Sequence, residues 1–96
     1  MSDDDEEVHR LEMRVPEKLE AGAYANLLSV WHTHHEFTLD FATTLPSEGN
    51  VQPARVVARI KLPPTVMFAV LRTLNENLTM FEQSYGVVSG PPGEEV

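Results

Sequence analysis

The amino-acid sequence predicts an α+β domain, an antiparallel meander of three to four strands with one long C-terminal helix packed on one face. Three observations predict it. Two runs of strand character, residues 23–32 and 37–45, are separated by only four residues, the spacing of a β-hairpin. A third alternating run, 55–62, stops at Pro63 and Pro64, which break a strand but suit the first turn of a helix. From there to Gly86 the apolar residues recur every three or four positions, the period of an amphipathic helix. The 96 residues hold one hydrophobic core and leave no room for a second.

Taken in order, residues 1–8 are acidic and almost free of apolar groups, and residues 89–96 are rich in Pro, Gly and Glu. Both read as disordered tails around a single domain at 9–88, because neither can offset its ordering entropy by burial. Residues 10–15 alternate, with Leu11, Met13 and Val15 on one side and Arg10, Glu12 and Arg14 on the other. They predict a first strand, ended by Pro16. The hairpin follows. A two-residue turn would force positive φ on His34 and His35, so the loop is expected to span Thr33 to Glu36 around a type I turn. That register pairs His32 with Phe37, Val30 with Leu39, Leu28 with Phe41, Asn26 with Thr43 and Tyr24 with Leu45.

The register sorts the side chains. Tyr24, Leu28, Val30, Phe37, Leu39, Phe41 and Leu45 share a face with core composition, while Leu27, Ser29, Trp31, Thr38, Asp40 and Ala42 make a mixed face. A mixed face of this kind suits contact with another chain, so Leu27, Ser29 and Trp31 are candidate interface residues of a homodimer or higher oligomer. On the third strand Val56, Ala58, Ile60 and Leu62 are expected inward, and Arg55, Val57, Arg59 and Lys61 outward. The helix at 64–85 carries Met67, Leu71, Leu74, Leu78, Phe81 and Tyr85 as a stripe widened by Val66 and Val70. Fewer than three heptads is short for a coiled coil, so the stripe is expected to lie on the sheet.

Charge and composition exclude several function classes. The formal net charge of −8 comes from the ends: Asp3, Asp4, Asp5, Glu6, Glu7, Glu94 and Glu95 account for seven of the fifteen acids. The body, with eight acids against seven bases, is near neutral. Neither nucleic acid nor an anionic membrane is an expected partner of such a chain. The absence of cysteine rules out disulfides, thiolate zinc sites and a thiol nucleophile. No apolar run reaches the roughly 20 residues of a membrane span, and the acidic start is unlike a signal peptide, so a cytoplasmic protein is expected.

The densest polar cluster is Trp31-His32-Thr33-His34-His35-Glu36. His32, His34 and His35 are candidate metal ligands, but the turn at Thr33 breaks their common direction, and an open hairpin tip is the preferred reading. No Ser-His-Asp arrangement can be drawn, because Ser29 and Asp40 share one face and His32 lies on the other. Ser29 and Asp40 are instead expected to share a hydrogen bond across the hairpin. No glycine-rich phosphate loop is present and no cofactor is expected. Arg55, Arg59 and Lys61, extended by Arg10 and Arg14, read as a solvated basic stripe that discourages edge pairing.

The strings Tyr24-Ala25-Asn26, His35-Glu36-Phe37-Thr38-Leu39-Asp40-Phe41 and Arg59-Ile60-Lys61-Leu62-Pro63-Pro64, with Leu74, Asn77, Leu78, Phe81, Glu82, Tyr85 and Gly86 on the helix, resemble a family of small bacterial and archaeal proteins defined as a domain of unknown function. The resemblance spans residues 22–86. It implies a prokaryotic intracellular protein and supplies no activity, cofactor or catalytic residue. The sheet-then-helix layout is also similar to that of SecB-type secretion chaperones, at the level of fold analogy. The sequence therefore reads as a non-enzymatic adaptor or holdase-like protein that binds itself and an unidentified protein partner. The alternative is a metal-binding protein using His32, His34 and His35.

Overall fold

The structure, a computed structural model, describes residues 10–89. The terminal segments expected to be disordered lie outside that range, apart from Ser89. The order of elements is a single 3-10 turn at Glu17–Leu19, then β1 (Leu27–His32), β2 (Phe37–Thr44), β3 (Ala54–Leu62) and α1 (Pro64–Tyr85). The strands form one antiparallel sheet in the order β1-β2-β3, with β2 in the centre. The fold class is α+β, as the sequence predicts.

The hairpin register is the expected one from Leu28–Phe41 through His32–Phe37. Its loop runs from Thr33 to Glu36, closed by the Thr33 N–H donating to the Glu36 carbonyl at 3.0 Å. The Thr33 hydroxyl accepts from the N–H groups of His35 (3.1 Å) and Glu36 (3.3 Å), satisfying donors that the ladder does not reach. No residue other than glycine has positive φ among the described residues, so neither turn histidine is strained.

β1 is shorter than the sequence suggests. Asn26 ends the ladder by side chain: its Oδ1 accepts from the Thr44 N–H at 3.2 Å, and its own N–H donates to the Ala42 carbonyl at 2.9 Å. Tyr24 therefore lies outside the sheet and is exposed rather than on the core face. Residues 10–15 form no strand, and Leu11 is 85% exposed. Alternation shows which residues share a face, but a strand also needs a partner, and this segment pairs with neither open edge of the sheet, β1 or β3.

β3 pairs with β2 through a bulge. Phe41 faces Ala58, but Ala42 faces Val56, leaving Val57 unmatched. The extra residue moves Val56 onto the face of Ala42, against the simple alternation that places it inward. Between the strands, Leu45 donates its N–H to the Pro53 carbonyl and Glu48 pairs with Val51 across Gly49 and Asn50. Gly49 takes φ 63 there, a conformation open to glycine without cost.

α1 has the predicted bounds. Pro64 occupies its first turn, and the Gly86 N–H, at φ 106, donates to the Glu82 carbonyl to close it. The Glu82 carboxylate also accepts from the Val88 N–H at 3.1 Å. Its placement differs from the expectation. The helix packs substantially on no strand, and none of its residues is buried. The cause is the junction: only Pro63 separates β3 from α1. Both Leu62 and Pro63 precede a proline and are held extended, so the chain has no hinge with which to fold the helix back over the sheet. Among the described residues the buried apolar side chains are Leu39 and Ala42 alone.

Candidate functional site

The central strand divides two unlike surfaces. On one face Thr38, Asp40 and Ala42 are buried, Thr38 completely, which reverses the expectation that the apolar face holds the core. They are covered by long side chains reaching over from the neighbouring strands. Register places Asp40 opposite Arg59 and Thr38 opposite Lys61 on β3, and opposite Ser29 and Trp31 on β1.

Arg59 grips Asp40 with two bonds, Nε donating to Oδ1 at 2.6 Å and Nη2 to Oδ2 at 2.8 Å, the forked geometry that suits guanidinium and carboxylate. Lys61 Nζ donates to the Thr38 hydroxyl at 2.9 Å and to Glu36 Oε2 at 3.3 Å. Trp31 lies against both cations, its ring centre 5.1 Å from Lys61 Nζ and 5.9 Å from Arg59 Cζ, within the range of cation–π attraction. The Asp40 carboxyl is held below its ordinary pKa, first by the Arg59 hydrogen bonds. Desolvation opposes this, and the Arg59 charge, the Trp31 N–H and the Lys61 charge reinforce it. The Arg59 guanidinium is raised by the same pair.

Two expectations change here. Arg59 and Lys61 are not a free basic stripe, since each is consumed by a carboxylate, and Arg14 pairs with Glu12 at 2.8 Å. Ser29 does face Asp40, but Arg59 holds the carboxylate in its place. The platform of Asp40, Arg59 and Lys61 was not legible in the sequence, because it needs the β2–β3 register, which the loop and bulge conceal. Leu27, Ser29 and Trp31 rest on its β1 side, exposed, with Trp31 43% accessible.

At the hairpin tip the histidines separate. His32 packs on Phe37, ring centres 5.2 Å apart and tilted by 38°, whereas His34 and His35 meet edge to face at 5.0 Å. Among the described residues no three His, Asp or Glu side chains gather to hold a metal ion. A metal bound through this tip would have to recruit ligands from elsewhere.

The opposite face carries Leu28, Val30, Phe37, Leu39, Phe41 and Ile60, of which only Leu39 is buried. One end of it is bordered by Leu19, Gly22 and Ala25, which line a groove with Phe41 and Ile60. The other end opens into a corner where Phe37 meets Pro64, Met67, Phe68 and Leu71 at the start of α1.

The profile of a family described as a protein of unknown function, DUF3467, matches residues 1–89. The chain belongs to this family. No curated protein and no solved structure matches it. Within this DUF3467 protein, among the described residues, no helix is long and apolar enough to cross a membrane.

Proposed function

We propose that the protein is a non-enzymatic interaction protein, of adaptor or holdase-like type, that presents Leu27, Ser29 and Trp31 to a protein partner. The observation that carries this reading is Trp31, a large aromatic left 43% accessible on a platform stiffened beneath it by the Asp40–Arg59 pair. A half-open tryptophan beside arginine, over a locked polar layer, has the composition of an interface hot spot. The rigid platform also lowers the ordering cost of binding.

Trp31 is the only tryptophan, so its fluorescence reports on this face alone. Aggregation of reduced insulin B chain provides an unfolding client, and capture from a cell lysate provides folded partners. The wild type is expected to suppress aggregation or to retain partners, with Trp31 emission shifting to the blue on engagement. The pair Leu27→Ala and Trp31→Ala should lose both effects. Undiminished protection and capture by the double variant, with wild-type emission unchanged by client, would remove this face from the function.

A further inference from the structure

We infer that the apolar sheet face of one chain is covered by α1 of a second copy, reciprocally, so that the folded unit is a dimer built by exchange of the C-terminal helix. The covered face is the one opposite Trp31, and its covering is independent of whether the Trp31 face binds a partner.

Each chain carries two apolar surfaces that it cannot bring together. The sheet face offers Leu28, Val30, Phe37, Phe41 and Ile60, and the helix offers the stripe from Met67 through Leu71, Leu74, Leu78 and Phe81 to Tyr85. In an ordinary α+β domain these would meet in cis across a connection of about two to six residues. Here the connection is Pro63 alone, followed by Pro64, and both φ angles at the junction are fixed by the pyrrolidine rings. The helix is thus directed away from its own sheet.

The dimensions fit an exchange. A helix of 22 residues is about 33 Å long and the eight-residue β2 about 26 Å, so one helix can cross the whole face of a partner's sheet. Of the three charges on the helix, Arg72 and Glu76 lie away from the stripe, and Glu82, which borders it beside Leu78 and Tyr85, has its carboxylate accepting from the Val88 N–H. The corner formed by Phe37, Pro64, Met67, Phe68 and Leu71 is an apolar recess at the point where two exchanging helices would pass. On the two surfaces Leu28, Val30, Ile60, Leu71, Leu74, Leu78 and Phe81 are all exposed in the single chain, as the two halves of a divided core would be. A reciprocal contact is also closed by a two-fold axis, so it ends at two copies instead of growing into a fibre.

Two measurements on the full-length chain test this. Static light scattering at micromolar concentration should give twice the chain mass. In a dimer mixed from isotope-labelled and unlabelled chains, filtered NOE spectra should show contacts between chains from Leu71, Leu74 and Leu78 to Val30, Leu39 and Ile60. A monomer by scattering, or intermolecular contacts confined to helix with helix or sheet with sheet, would overturn the inference. A linker variant gives an independent arm that keeps every apolar contact. Six Gly and Ser residues inserted between Pro63 and Pro64 should let α1 reach its own sheet and raise the dimer dissociation constant at least tenfold. An unchanged constant would also overturn it.

Discussion

The side chain of Arg59 is 53% accessible, while the Asp40 carboxylate it holds is only 9% accessible, and this asymmetry sets what each substitution does. Replacing Arg59 by Gln leaves a carboxylate shielded from water without its fork of donors; replacing Asp40 by Asn leaves a guanidinium that solvent can still reach. Arg59→Gln should therefore lower the Tm more than Asp40→Asn, and the double variant should recover part of the loss, a coupling that thermal unfolding of the cycle measures. The pH dependence follows from the same pair. Because the folded-state pKa of Asp40 lies below its ordinary value, the stabilisation is complete above the unfolded carboxylate pKa, about 3.9. It is lost as pH falls from there through the lower folded value. Acid titration of the wild type should show this loss below about pH 4, and Arg59→Gln should flatten it. The histidines behave differently. His34 and His35 contact each other at an exposed turn, so changing both to Asn should change the unfolding free energy by less than about 0.5 kcal/mol. Added zinc should not stabilise the wild type; a saturable one-to-one rise in Tm, lost in the double variant, would restore the metal reading.

Among the elements, those held together locally were legible and those held by distant partners were not. The hairpin follows from alternation and a short polar connection, and α1 from its stripe, its prolines and Gly86, all within a few residues of one another. The bulge at Val57, by contrast, shows only in the pairing of β3 with β2, and no local signal announces it. The failed strand at residues 10–15 has the right period but pairs with neither open edge of the sheet. Several residues that carry the family resemblance have structural work in this chain: Asn26 ends a ladder, Asp40 and Arg59 lock the sheet, and Glu82 with Gly86 closes the helix. Leu74 gives the sharpest element-level prediction. It is 62% accessible in the single chain, where Leu74→Ala would be neutral, since alanine has the higher helix propensity. Covered by a partner's sheet, the same change should cost about 2–5 kcal/mol per protomer in urea unfolding. Gln83→Ala, off the stripe, should stay within about 0.5 kcal/mol.

For the whole molecule the question is what makes the chain fold at all. Among the described residues the single chain buries only Leu39 and Ala42 as apolar side chains, far too little to offset an ordering entropy on the order of 1–2 kcal/mol per residue. A polar network adds specificity to such a sheet but contributes little net free energy, because its charges must first leave water. Folding and association should accordingly be one event, with no stable folded monomer at any concentration. Unfolding would then follow two unfolded chains forming one native dimer, so the apparent stability must depend on how much protein is present. Each tenfold rise in concentration should add about 1.4 kcal/mol per mole of dimer, moving both the urea midpoint and the Tm upward. Circular dichroism melts at 1, 10 and 100 micromolar measure this directly, and helix and sheet signals should be lost together. A Tm that is the same at all three concentrations would mean that one chain finds a core by itself, and that α1 reaches its own sheet despite the two prolines.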